Sequence, residues 1–96
     1  MIQSFGDDAT RDLFNGRRTS RSRRFPPDIR RSADRKFDML HGARTLDDLR
    51  LTPGTRLEAL RGDRAGKYSI RVNDQWRLVF RWTDPGPTDV VLEDYH

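Results

Sequence analysis

The spacing of apolar residues in the first half of the chain is typical of amphipathic helices. Asp7-Asp8 offers carboxylates at the start of a helix that runs to about Asn15, and Gly16 follows as its stop. Pro26-Pro27-Asp28 opens a second helix, since proline is tolerated in the first turn, and Gly42 ends it. Spacings of four, four and three residues place its apolar side chains on one face: Ile29, Ala33, Phe37 and Leu40.

Shorter elements flank these two helices. The segment Ile2–Phe5 is a strand candidate at the N-terminus. Thr45-Leu-Asp-Asp48 resembles a capping box with Asp in place of Glu, which predicts a helical turn through Leu49. Pro53-Gly54 marks the turn out of it.

From Arg56 onward the apolar pattern changes to period two, which indicates strands. Leu57 and Ala59 belong to one short strand. The next two strands run on either side of Asn73-Asp74, which is a two-residue hairpin signal. After the break at Asp84-Pro-Gly-Pro87, a last strand is expected from Asp89 to Tyr95.

These elements predict an α+β domain over residues 1–96, with two N-terminal helices packed on a mostly antiparallel, twisted sheet. The face towards the helices is apolar: Ile70, Val72, Leu78 and Phe80. The opposite face should present four cations and almost no carboxylate to solvent: Lys67, Arg71, Arg77 and Arg81. Neighbouring like charges repel unless an anion lies between them, so this face points to RNA. Trp76 and Trp82 alternate with core positions and are interpreted as packing residues.

Composition agrees with an anionic partner and excludes some classes of site. The net charge is +4, and 17 of the 19 cations are arginines, which grip phosphate bidentately as lysine cannot. Codon usage in a GC-rich genome explains the arginine bias equally well. Without cysteine there is no disulfide or thiolate site, and with two histidines we expect no zinc site and no cofactor. No signal peptide or membrane span is recognisable, so we expect a soluble cytoplasmic protein without membrane contact.

Much of the positive charge is concentrated in residues 11–36, which hold ten basic and three acidic groups, or +7. Within it, residues 17–25 have no apolar period and predict a mobile basic loop. It is either a solvated run of charge or a contact to ribosomal RNA or a protein partner, and we favour a contact. The arginines concerned are Arg17, Arg18, Arg21, Arg23 and Arg24.

Three strings in the second half resemble one family. They are Leu60-Arg-Gly-Asp-Arg64, then Ser69-Ile-Arg-Val72 followed by Gln75-Trp-Arg77, and the terminal Asp94-Tyr-His96. In this order they resemble the HigB branch of the RelE superfamily, including its GraT-type members. The opening Met1-Ile-Gln-Ser-Phe5 is similar too, so the resemblance runs nearly from end to end.

The resemblance implies a toxin of a type II toxin–antitoxin system that cuts mRNA in the ribosomal A site. The implied chemistry needs no metal, because the ribose 2′-OH attacks the adjacent phosphate and the 5′-oxygen leaves. The implied partners are the ribosome with its mRNA and a cognate helix-turn-helix antitoxin of the HigA or GraA kind.

The resemblance also assigns roles to five residues. Arg77 takes the place of the arginine that faces the phosphate, and Arg61 stands at a basic position where its fixed charge allows an electrostatic role only. His96 is the candidate general acid or base, since an imidazole exchanges protons near neutrality. Tyr95 either stacks on a base or donates to a phosphate oxygen, and Asp94 either orients His96 or accepts a proton.

One position departs from the family pattern. Some relatives have histidine where this chain has Glu58, which leaves the assignment of the proton acceptor open. The sequence also allows a different function. The protein would then be a non-cleaving regulatory module that uses the same basic surface to bind nucleic acid or the ribosome.

Overall fold

The computed structural model describes residues 1–94 and contains three α-helices ahead of the sheet. Helix α1 spans Asp8–Phe14 and is capped by Asp7, whose carboxylate accepts a hydrogen bond from the Thr10 amide. Helix α2 spans Pro27–Gly42, and α3 spans Leu46–Leu51, two residues beyond the predicted turn. The predicted capping box is confirmed: Thr45 accepts from the Asp48 amide, and the Asp48 carboxylate accepts from the Thr45 amide.

Four antiparallel strands form one sheet in the order of the chain, so the predicted α+β architecture is confirmed. The strands are β1 (Glu58–Ala59), β2 (Lys67–Arg71), β3 (Trp76–Thr83) and β4 (Gly86–Asp94). A register shift between Val79 and Arg81 interrupts the pairing of β3 with β4.

Three connections differ from the prediction. Residues 72–75 separate β2 from β3, so the turn is longer than two residues; Asn73 stabilises it by accepting from the Gln75 and Trp76 amides. Strand β4 begins at Gly86 rather than Asp89, because Thr83 pairs with Gly86 across a tight turn. The N-terminal segment makes only one isolated parallel bridge, between Phe5 and Val90, instead of a strand.

The core lies between α2 and the sheet. The predicted apolar face of α2 is buried, with Ala33 and Leu40 fully enclosed. Opposite it, Ile70, Leu78 and Phe80 of the sheet are also fully enclosed. Both tryptophans pack against this cluster, as predicted.

Residues 17–25 have a defined structure, and the expectation of a loop without one is wrong. Ser22 is fully buried and begins a single 3₁₀ turn, Ser22–Arg24. The Thr19 hydroxyl donates to the buried Asp12 carboxylate at 2.7 Å, and the Arg21 Nε donates to the same carboxylate at 3.2 Å. The periodicity could not show this order, because polar hydrogen bonds rather than apolar contacts hold the loop.

The helices of residues 1–94 include none that combines the length and the apolar character needed to cross a bilayer.

Candidate nucleic-acid interface

The face of the sheet turned away from the helices carries a concave pocket of about 400 Å³, which we call the arginine pocket. Its position follows from the alternation of strand side chains, because Ser69 and Val79 point to this face while Ile70 and Leu78 point to the core. It is lined by Leu60, Arg61, Arg64, Ser69, Arg77, Val79, Glu93 and Asp94.

Arg77 is the most enclosed cation of the pocket, with 14% of its side chain exposed. Its Nη1 donates to the Ser69 hydroxyl at 3.1 Å, and its Nη2 lies 3.3 Å from Glu58 Oε1. The guanidinium is therefore held in one orientation by neighbouring strands, which reduces the entropy lost when it binds an anion.

Arg64 reaches the pocket from the connection between β1 and β2. Its Nη2 forms an ion pair with Glu93, which lies in β4 at the other edge of the sheet. This ion pair holds the 3₁₀ turn Gly62–Arg64 against the face of the sheet. The turn begins with a positive φ of 66° at Gly62, a conformation that favours glycine.

Two predicted residues complete the lining. Arg61 is exposed at the start of the 3₁₀ turn, and Asp94 is exposed at the end of β4. The Asp94 Oδ2 accepts from Gln75 Nε2 at 3.0 Å, which ties the end of β4 to the turn before β3. The structure thus brings Arg61, Arg77 and Asp94 around one pocket, whereas Tyr95 and His96 lie outside the described residues.

The prediction of four solvent-facing cations with almost no carboxylate beside them is wrong in two respects. Arg77 is mostly enclosed, and the face does hold carboxylates, because Glu58 and Glu93 each pair with a pocket arginine. The strand pattern did not reveal these pairs, because Glu58 and Arg64 lie outside the strands that carry the cations. Lys67, Arg71 and Arg81 do not line the pocket.

The three remaining strand cations lie around the pocket. Lys67 and Arg81 are cross-strand neighbours at the start of β2. Arg71, at the other end of β2, pairs with Asp74 in the turn. Arg71 also faces Lys36 of α2, whose pKa is lowered by burial first and then by the charges of Arg35 and Arg71.

The loop arginines occupy a different part of the surface. Arg21 pairs with Asp12 at 3.2 Å and Arg24 pairs with Asp7 at 3.4 Å. Arg18 and Arg23 line a second depression beside the first turn of α2, and Arg17 is exposed.

Sequence reasoning did not single out Arg64, Ser69 or Glu93 as site residues. Ser69 had a usable signal, because it lies between Lys67 and Arg71 on the same strand face. Arg64 ends one of the strings that carry the family resemblance. Glu93 had no such signal, since its role depends on a contact between opposite edges of the sheet.

The pocket offers the groups needed to bind a phosphodiester. Three guanidiniums can share the negative charge of a phosphate and of a transition state built on it. Residues 1–94 hold no cluster of three or more acidic or histidine side chains that could bind a metal ion.

Two solved structures of toxins have a similar fold. The fold is similar to the YoeB–YefM complex from Staphylococcus aureus, with a TM-score of 0.61, 16% identity and coverage of 100% of this chain and 98% of that one. It is equally similar to the YoeB/ParE toxin from Agrobacterium tumefaciens, with a TM-score of 0.62, 15% identity and coverage of 98% and 99%. At this identity the likeness establishes the fold class alone.

Sequence comparison gives the family within that class. Residues 3–96 match the HigB-like toxin family, described as the RelE-like toxin of type II toxin–antitoxin system HigB. Toxin HigB-1 of Vibrio cholerae is 45% identical over 75 residues, which cover 78% of this chain and 79% of that protein. The chain therefore belongs to the HigB-like family of type II toxin–antitoxin toxins, as the sequence motifs predicted.

Proposed function

We propose that the protein is an endoribonuclease that cuts mRNA in the ribosomal A site. The observation that carries the proposal is the arginine pocket, where Arg61, Arg64 and Arg77 surround one cavity with Asp94 at its rim. RNA is a polyanion, and the pocket is large enough for a phosphate and part of its nucleotide.

In the proposed reaction the ribose 2′-oxygen attacks the adjacent phosphorus and the bond from phosphorus to the 5′-oxygen breaks. One group takes the proton from the 2′-hydroxyl and another gives a proton to the leaving 5′-oxygen. Negative charge grows on the non-bridging oxygens, where Arg77 and the two other pocket arginines stabilise it. No metal takes part in this scheme.

Three side chains are candidates for the proton transfers, and Tyr95 is a candidate for contacting the RNA. His96 is the general acid or base by family resemblance, and Tyr95 stacks on a base or donates to a phosphate oxygen. Asp94 orients His96 or accepts a proton. Glu58 joins them as a possible proton acceptor because its carboxylate lies 3.3 Å from the Arg77 guanidinium.

The proposed partners follow from the reaction and the family. The ribosome presents the mRNA, which places the active toxin in the cytoplasm. A cognate helix-turn-helix antitoxin of the HigA or GraA kind restrains it. Two observations test the proposed antitoxin. A neighbouring reading frame should encode such a protein, and its co-expression should suppress the toxicity.

Expression of two chains in bacteria separates cleavage from simple binding. The full chain should arrest growth, whereas a chain truncated after Asp94 should not, because it lacks Tyr95 and His96 but keeps the arginines. As a control, both chains should be expressed at equal levels. Circular dichroism of the purified chains should show that both are folded. Equal toxicity would contradict the proposal and support the non-cleaving module.

A further inference from the structure

A second cluster of cations lies outside the arginine pocket, beside the first turn of α2. It forms a depression of about 660 Å³ lined by Arg18, Arg23, Phe25, Pro27, Arg30, Arg31 and Asp34. Four arginines thus face one carboxylate, and within residues 1–94 none of the four forms an ion pair. Like charges gathered without counter-ions destabilise a fold, so an anionic ligand is the natural explanation.

The cluster is held in place by buried polar contacts. Arg30 Nη2 donates to the Ser22 carbonyl at 3.3 Å. The buried Ser22 hydroxyl in turn donates to the Arg17 carbonyl and accepts from the Thr19 amide. The arginines of the loop and of α2 therefore share one framework, anchored to α1 through Asp12.

This cluster is connected to the arginine pocket by a third depression, of about 430 Å³. Phe25 lines both the cluster and this depression. At the other end, Glu93 and Asp94 line both the depression and the arginine pocket. Arg24 and Trp76 also line this depression, so the pocket, the depression and the cluster adjoin one another on the surface.

We infer that the cluster is a second phosphate-binding site, which holds the backbone of RNA away from the cleaved linkage. The inference rests on the proposed function, since it extends the path of the RNA beyond the arginine pocket. Arginine forks match phosphate oxygens, and among residues 1–94 the only apolar lining residues are Phe25 and Pro27, which is too little for a protein-docking groove. The backbone belongs either to the strand that is cut or to ribosomal RNA.

The test compares two double variants with equal loss of charge. Arg23→Ala/Arg31→Ala removes two exposed arginines of the cluster, and Arg44→Ala/Arg50→Ala removes two exposed arginines near α3. The probes are a single-stranded RNA with 2′-O-methyl riboses, which cannot be cut by 2′-oxygen attack, and purified ribosomes. Binding is measured over a range of salt concentrations.

The cluster variant should bind more weakly than wild type. On the single-stranded probe, its slope of log affinity against log salt should be shallower by about 1.4, the value for two lost phosphate contacts. The control variant should keep more of the wild-type slope. In cleavage assays the cluster variant should raise KM and leave kcat unchanged.

Each outcome bears on the inference. Weaker binding to the single-stranded probe assigns the backbone to the strand that is cut, and weaker binding to ribosomes alone assigns it to ribosomal RNA; either supports the site. Identical binding by the two variants would overturn it, and so would an effect confined to a protein partner. Because the 2′-O-methyl probe reports binding without cleavage, a wild-type protein that binds but does not cut would count against the proposed function alone.

Discussion

At the scale of single residues, Arg77 has the environment expected of a phosphate-binding group. Its guanidinium is enclosed, oriented by Ser69 and balanced by Glu58, and it faces the same pocket as Arg61 and Arg64. A phosphate entering the pocket would add its charge beside a cation that is already in position, which is the arrangement that stabilises charge in a transition state.

Arg77→Ala should lower the cleavage rate by ~10²-fold or more, because it removes a preorganised cation from the transition state. Single-turnover cleavage of mRNA on ribosomes measures the effect. Arg44→Ala, which removes an exposed arginine that does not line the pocket, should retain the wild-type rate. If Arg77→Ala cut as fast as that control, Arg77 would have no part in the mechanism.

Sequence reasoning identified Arg61, Arg77 and Asp94, which lie in the family strings, but it missed Arg64 and Ser69 of the same strings. Alternation along β3 gave Arg77, and the terminal string gave Asp94. The carboxylate partners were missed because they depend on contacts between distant segments, such as the Arg64–Glu93 pair. The resemblance drew attention to Glu58 only as a departure from the family, and its contact with Arg77 appeared first in the structure.

At the scale of elements, local signals predicted helices better than connections. Capping residues and apolar spacing gave α1 and α2 almost to their ends. The ordered conformation of the loop after α1 was not predicted, because it depends on hydrogen bonds to the Asp12 carboxylate. That carboxylate becomes buried only when the loop folds over it. The start of β4 was predicted three residues too late, because Pro87 suggested a break in the strand. In the structure Gly86 and Pro87 pair with the end of β3, where the missing amide of the proline is tolerated.

The capping box of α3 predicts a pH dependence of stability. Backbone hydrogen bonds from Arg44 and Thr45 are the first causes that hold the pKa of Asp48 below its ordinary value. A carboxyl whose pKa is lowered by folding stabilises the fold above its unfolded pKa of about 3.9, and this contribution is lost as pH falls through the lower folded value. Urea unfolding between neutral pH and about pH 3 should therefore show a steeper loss of stability for wild type than for Asp48→Asn.

Asp47→Asn is the matched control, because Asp47 lies on the same turn and pairs only with exposed Arg50. It should keep the wild-type dependence on pH. If Asp48→Asn and Asp47→Asn gave parallel curves, the cap would not be the source of the effect.

At the scale of the whole molecule, the N-terminal segment meets the last strand. The amide of Gln3 donates to the Pro87 carbonyl, and the amide of Ile2 donates to Nδ1 of His41 on α2. The N-terminal segment thus lies along β4, the strand that ends at the arginine pocket. Periodicity suggested a strand at residues 2–5 but could not supply its partner, since pairing between segments more than 80 residues apart leaves no local pattern.

Gly86→Ala should destabilise this junction. A Cβ at Gly86 would clash with the Met1 carbonyl oxygen, and its φ of 141° disfavours other residues. Gly42→Ala is the control, because a Cβ there meets nothing within 4 Å. We expect Gly86→Ala to lower the free energy of unfolding by about 1–3 kcal/mol and Gly42→Ala to leave it nearly unchanged, as measured by urea denaturation. Equal stability of the two variants would contradict the close approach of Met1 to β4.

The most direct test of the account is to map the ends of mRNA after purified protein meets translating ribosomes, beside the same message without ribosomes. The account predicts cuts within the A-site codon, none in the free message, and a strong reduction for Arg77→Ala. An intact message on the ribosome, with folded wild-type protein bound, would contradict it.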